Sequence, residues 1–268
     1  MVIIIILNKI RLNYLRFKNR NNYNEENPLI SIYTPTYNRA RILLDRAIKS
    51  VLSQTYTNWE YIIVSDGSTD DTKELVESLC VPKIRFYQIE RKTPHHTYNS
   101  KKAWQIEGSN AANFALSKIK GKYIARLDDD DIWESDYLET MLLCMRGTSR
   151  EFMTSKFDFI KDNKIVIDHG VYINSYLNLI KKKYFGIKIG AHSTWFYRSY
   201  LKFMKYNSKC WKKVWNSVAD TDLLERFVKL GIKMNFLYRV LMHQLPRPNE
   251  TSVGFQAIQD NIKKGEVK

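Results

Sequence analysis

ISIYTPTYNRARILLDRAIKSVLSQTYTNWEYIIVSDGSTDDT, residues 30–72, decides the fold. It opens on a β-branched run, LISIYT at 29–34, which predicts a buried strand. Ile42, Leu43, Ala47 and Val51 then recur at helical spacing and predict a helix over 39–54. WEYIIVS at 59–65 predicts a second strand, and 70–79 a second helix capped by Ser68 or Thr69. Outward from this stretch the alternation continues, with strands at 83–89 and 122–128 and helices at 110–118 and 133–145. Such a series argues for an α/β fold, a Rossmann-like, mostly parallel central sheet with helices on both faces. Right-handed crossovers bring the C-terminal ends of its strands to one edge, where ligands of open α/β sheets gather.

The second half is less regular. A hairpin is expected over 150–168, turning at Lys161 to Lys164. A helix over 219–230 should stop at Gly231, and a strand should follow over 233–238. Three units are expected: an N-terminal extension and linker, 1–28; a main domain, 29–245, in two halves, 29–136 and 137–245; and a polar tail at 246–268 that could act as a lid.

Bulk composition narrows the class. At 268 residues with 44% hydrophobic and 13% aromatic side chains, the chain can bury a core. The net charge of +15 favours anionic partners. Without an RNP motif, zinc-finger spacing or basic-aromatic array, nucleic acid is not the expected one. Cys80, Cys144 and Cys210 are odd in number and widely spaced, which argues for free thiols in a reducing compartment. The apolar run Val2 to Leu7 is too short to span a bilayer and lacks the flanks of a signal peptide. A cytoplasmic location is expected. The basic residues that follow (Lys9, Arg11, Arg16, Lys18, Arg20) allow peripheral membrane contact. A packed or frayed extension accounts for them as well and is preferred.

Three predicted strand tips carry the chemistry. LDDDDIW at 127–133 places four aspartates in a row. Adjacent carboxylates repel and stay partly protonated unless something compensates. Mg²⁺ or Mn²⁺ does so with one or two carboxylates plus phosphate oxygens. On extended backbone Asp128 and Asp130 face one way and Asp129 and Asp131 the other. Asp131 could instead cap the helix expected from Trp133. At the second tip, SDGSTDD at 65–71, Asp66 can accept from a base N–H or a ribose hydroxyl; an ordinary turn explains the segment equally. At the first tip, TPTYNR at 34–39, Tyr37 offers a flat face to a base and Thr34 or Thr36 a hydroxyl. Tyr37 could equally cover a helix N-terminus.

Together these motifs resemble glycosyltransferase family 2, with its GT-A fold. The resemblance is close from Leu29 to Asp136 and loose from Ala191 to Ser252. It rests on the opening stretch, with its SVLSQTY, and on GKYIARLDDDDIW. It implies nucleoside contacts from Thr34, Pro35, Tyr37 and Asp66, a ribose contact from Asp128, Asp129 among the substrate-binding residues, and metal ligation by Asp130. ADTDLLER at 219–226 matches the family's catalytic segment. Ala219 replaces its glutamate, Asp220 takes the place of the base, and Asp222 is the fallback. Ala112 stands where the family often has an arginine. His243 is a further candidate metal ligand and Arg247 a diphosphate contact; His192 and Trp195 occupy a segment that commonly meets the acceptor. The implied reaction is inverting transfer of a hexose or N-acetylhexosamine from a nucleotide-diphosphate sugar, UDP being the commonest nucleotide, to a hydroxyl of a glycan, lipid or protein. A sugar-phosphate nucleotidyltransferase, or an inactive carbohydrate-binding relative, is the alternative. No role is assigned to His95 and His96.

Overall fold

The computed structural model describes residues 2–91, 105–161, 164–173, 187–213 and 218–248, with Glu250, Ser252, Val253 and Ala257. The expected strands of the first half are β1 (Ile30–Thr36), β2 (Trp59–Ser65), β3 (Ile84–Gln88) and β4 (Tyr123–Arg126). β1 pairs in parallel with β2 and β4, and β2 with β3. Every residue of β1, β2 and β4 is buried, which is why these segments read as apolar runs rather than as alternation.

The second half adds β6 (Phe152–Lys161), β7 (Lys164–Asp168), β10 (Phe196–Arg198) and β11 (Met234–Gln244) to the same sheet. A short β5 (Asp131–Trp133) closes its far edge. Among the described residues the sheet has nine strands, in the order β3-β2-β1-β4-β10-β6-β11-β5 with β7 beside β6. β8 (Val171–Ile173) and β9 (Ile187–Ile189) pair separately. β10 runs antiparallel to both β4 and β6. β6 and β11 therefore point the same way as β1 to β4, and their C-terminal ends share one edge.

The helices follow the apolar spacing, with local differences. The helix expected over 39–54 is α2 (Ala40–Leu43) and α3 (Lys49–Leu52), joined through a π-helical stretch at Leu44–Ile48. α4 (Thr72–Ser78) starts later than expected. Its leading N–H, on Thr72, donates to Asp70 rather than to Ser68 or Thr69. α5 (Ser109–Lys118) and α7 (Ala219–Leu230) match expectation, and Gly231 ends α7 in the left-handed conformation. The helix expected from Trp133 begins only at Tyr137, as α6 (Tyr137–Met145). Trp133 belongs to β5, pairs with Met242 and donates its indole N–H to the Ser193 carbonyl at 2.7 Å. These long-range partners override the local pattern, so Asp131 does not cap that helix.

The N-terminal segment is α1 (Val2–Lys18). It docks through fully buried Leu12 and through Arg16, whose guanidinium donates to Glu151 at 2.8 and 2.5 Å. The expected linker is also packed: Tyr23 is buried edge-on against Tyr123 and Tyr200. No helix among the described residues is long and apolar enough to cross a membrane. The three cysteines are free.

Candidate active site

The C-terminal edge of the sheet opens into a crevice of ≈ 330 Å³. Pro35, Thr36 and Tyr37 line it from the end of β1, Asp66 from β2, Asp128 to Asp131 from beyond β4, Asp220 from α7 and Arg247 from beyond β11. Segments far apart in sequence meet because their strands share a direction.

At the β2 tip, Asp66 is 3% exposed. Burial raises its pKa, opposed by the Arg91 guanidinium 3.6 Å away. Its Oδ1 is buried with no hydrogen-bond partner among the described residues. A buried unmade acceptor is costly, and a ligand N–H or O–H would satisfy it. Gly67 has φ +77, and a Cβ there would stand 2.9 Å from the Arg91 Cβ. Glycine thus lets Arg91 cross the tip, where its guanidinium lies 3.4 Å from the centroid of the Tyr37 ring. Thr34 is not part of the lining. It is fully buried below, bonding the Tyr61 hydroxyl at 2.8 Å and donating to the Leu127 carbonyl at 2.7 Å. The expected direct nucleoside contact is corrected to a tie between β1 and the acidic loop.

Along the four aspartates burial alternates as extended backbone requires: Asp129 and Asp131 are buried, Asp128 and Asp130 half-buried. Their repulsion is relieved in two ways. Guanidinia pair with three of them: Arg126 with Asp128 at 2.6 Å, Arg39 with Asp129 at 2.7 Å and Arg247 with Asp130 at 2.9 Å. A held proton relieves the fourth, Asp131. Burial, with Asp130 and Asp128 adding repulsion, lifts Asp131 well above the carboxylate range, while Ser193 Oγ donates to it at 2.5 Å. Burial also pushes Asp129 up to about 6, against the pull of Arg39. For Asp130 burial acts the same way, but Arg39 and Arg247 outweigh it and hold the carboxyl below its ordinary range. Of the pair it forms with Asp129, Asp130 is therefore the carboxyl that gives up its proton first.

Ser193 also accepts the Asp128 N–H at 2.9 Å, so the turn at His192–Thr194 is stapled to the acidic loop. His192 lines the crevice and bonds the Tyr206 hydroxyl at 2.7 Å. Burial, reinforced by Arg126, holds its pKa well below the usual value, so the ring is neutral. Trp195 does not reach the crevice. It is 2% exposed and packs edge-on against Phe152 and His192, which replaces the expected acceptor contact with a core role.

Asp220 lies in the first turn of α7. Burial raises its pKa; the Thr221 N–H, 2.6 Å away, pulls it down and Asp128 pushes it up. Asp222 is 1% exposed and held by Lys213 and Arg226 at 2.8 Å each, which removes it as a fallback base. His243 lies outside the crevice lining. Both its ring nitrogens are taken, Nδ1 by Asp158 at 2.7 Å and Nε2 by Glu134 at 2.9 Å. The structure therefore does not bring it to Asp130 as the expected second metal ligand. No group of three His, Cys, Asp or Glu among the described residues is placed to hold a metal ion. Ala112 is fully buried in α5. His95 and His96 lie outside the described residues.

Sequence reasoning named Arg247 but missed the other guanidinia, Arg39, Arg91 and Arg126. Arg39 stood inside the quoted TPTYNR, directly after a strand tip, and that position was a usable signal. Arg46 gave none. From the π-helical stretch it donates to the carbonyls of Asp130, Leu245 and Pro246 at 2.9, 2.8 and 2.5 Å, tying the loop that carries Arg247 to the acidic loop.

Comparison with known proteins accords with this geometry. The family model described as glycosyl transferase family 2 matches residues 31–202. The putative colanic acid biosynthesis glycosyl transferase WcaA of Escherichia coli (strain K12) is 41% identical over 141 residues, covering 52% of this chain and 44% of the relative. The UDP-Glc:alpha-D-GlcNAc-diphosphoundecaprenol beta-1,3-glucosyltransferase WfgD of Escherichia coli is 33% identical over 138 residues, covering 52% of this chain and 49% of the relative. The matches thus span about half the length of these relatives. Among solved structures, S. aureus TarS 1-349 in complex with UDP-GlcNAc aligns with a TM-score of 0.59 at 15% identity, over 83% of this chain and 60% of that one. The mannosyltransferase PcManGT from Pyrobaculum calidifontis, in complex with GDP-Man and Mn²⁺, aligns with a TM-score of 0.57 at 14% identity, over 90% of this chain and 67% of that one. At such identities the likeness shows the fold, a GT-A type mixed α/β sheet.

Proposed function

Because the chain belongs to glycosyl transferase family 2, we propose that its crevice transfers a hexose or N-acetylhexosamine from a nucleotide-diphosphate sugar to an acceptor hydroxyl on a glycan, lipid or protein, with inversion. One observation carries this reading: Asp66, Asp130 and Asp220 line a single crevice. UDP is the proposed nucleotide, and the UDP-named relative supports it. Asp66 and the Tyr37–Arg91 pair would hold the nucleoside, with Pro35 beside them and Asp128 toward the ribose. Residues 29–245 form the proposed transferase domain, with Arg247, Glu250 and Val253 beyond it also lining the crevice.

A divalent cation, Mn²⁺ or Mg²⁺, fits this donor set in one particular way. Asp130 is ionised, hard and half-exposed, yet no further His, Cys, Asp or Glu cage surrounds it among the described residues. That suits an ion that takes one or two carboxylates and completes its shell with phosphate oxygens. When bound, the ion would neutralise charge gathering on the departing diphosphate. Arg247 and Arg39, now on the acidic loop, would supply further positive charge to the same group. Asp220 would take the proton from the acceptor hydroxyl as that oxygen attacks the anomeric carbon, opposite the leaving diphosphate. Its raised pKa suits a base that must hold a proton after the reaction. Neutral His192 would orient the acceptor by hydrogen bonding.

The test is a panel of nucleotide sugars incubated with Mn²⁺ and the purified chain, wild type and Asp220→Asn. Turnover of one donor, lost in the variant while the nucleotide still binds, is the expected outcome. Absence of turnover with every donor, together with absence of nucleotide binding, would overturn the reading.

A further inference from the structure

α1 leaves a large apolar surface uncovered. Its docked side consists of Ile5, Asn8, Leu12, Leu15 and Arg16, which recur at three- and four-residue intervals and are buried or half-buried. Ile3, Leu7, Ile10, Tyr14 and Phe17 recur at the same intervals on the opposite side and are 72, 59, 61, 60 and 65% exposed. An apolar row of this size is unusual on a free surface and marks an interaction site.

The flanks identify the partner. At about 100° per residue, Arg11 and Lys18 fall along one border of the row and Lys9 along the other, with Arg20 in the turn just past the helix end. Two of these cations already lean on aromatic rings, Arg11 over Phe203 at 4.8 Å and Arg20 over Phe17 at 4.9 Å. The helix VIIIILNKIRLNYLRFK contains no acidic residue. Pairing two copies through this row would therefore stack cation on cation without compensation. An anionic bilayer surface offers both what the row and its borders need: acyl chains for the apolar side chains and negative headgroups for the cations. The net charge of +15 attracts the whole chain to the same surface.

We propose that the outward face of α1 seats the protein on the surface of an anionic lipid bilayer, lying in the interface rather than crossing it. Docking through Leu12 and the Arg16–Glu151 pair makes the helix a rigid foot of the catalytic body, not a tether. This surface is independent of the sugar-transfer reading, since none of its residues lines the crevice.

The experiment is flotation of the full chain with phosphatidylcholine vesicles, with and without about one-third phosphatidylglycerol. Variants Ile10→Asp and Leu7→Asp with Phe17→Asp are compared after their thermal melts confirm folding. The proposal expects binding to the anionic vesicles only, weakened about tenfold or more by each variant, because each removes apolar surface from the interface. Equal binding by wild type and variants, abolished by high salt, would mean adsorption of the basic body and would overturn it. So would failure to float, or a dimer in sedimentation velocity that the same variants dissociate.

Discussion

Asp220 and Asp222 stand two residues apart on one helix and have opposite fates. Lys213 and Arg226 clamp Asp222 below the surface, while Asp220 faces the crevice. Asp220→Asn is expected to lower kcat about 10²–10⁴-fold while nucleotide-diphosphate affinity, read by calorimetry, holds. Because burial raises its pKa, the base loses its proton at a higher pH than a free aspartate does. The rate should then climb with pH through a limb above the ordinary carboxylate value of about 3.9; a pH profile of kcat with its limb at or below that value would contradict the assignment. Asp129 makes a matching claim on stability. Its folded pKa, about 6, lies above the unfolded one, so the folded protein binds the proton more tightly. That contribution is full on the acid side and is lost as pH rises toward 6. Thermal melts of metal-free protein across this range should show the decline, and Asp129→Asn should flatten it. The carboxylates of this site were legible in the sequence because strand tips announce themselves by pattern. Of their guanidinium partners only Arg247 was named from the sequence; Arg91 was not, because it reaches the site from a segment with no periodic signature.

Elements were legible where the chain's own spacing made them and illegible where distant partners did. β1, β2 and α7 fell where their residues put them. β5 did not, since Trp133 becomes a strand residue only by pairing with Met242 and reaching Ser193. The π-helical stretch was equally invisible, yet it presents Arg46 to three carbonyls. Arg46→Ala should free the loop carrying Arg247, raising the donor KM roughly tenfold, in line with loss of charged hydrogen bonds. Arg46→Lys should recover little, because a lysine lacks the fork. Steady-state kinetics beside a thermal melt would separate this from general unfolding. The turn bearing His192 depends on a different constraint. A Cβ on Gly190 would lie 2.0 Å from the Ser155 carbonyl oxygen, a backbone atom that cannot swing away. Gly190→Ala is expected to cost about 3 kcal/mol, visible as a lowered denaturation midpoint.

At the scale of the whole molecule, the decisive feature is a single sheet shared by both halves of the chain. β10 reverses direction between β4 and β6, which lets β11 deliver Arg247 to the edge where β1, β2 and β4 end. Local pattern suggested a parallel sheet but could not order its second half, whose pairings join residues tens of positions apart. From this shared edge follows the central claim, that one crevice grips a nucleoside diphosphate through an ion at Asp130. Calorimetric titration of UDP, with GDP as the comparison, tests it with Mn²⁺, with chelator, and with Asp130→Asn. The account predicts Mn²⁺-dependent binding, weakened about tenfold or more by chelator and by the substitution alike. Binding of equal affinity under all three conditions, or none under any, would contradict it.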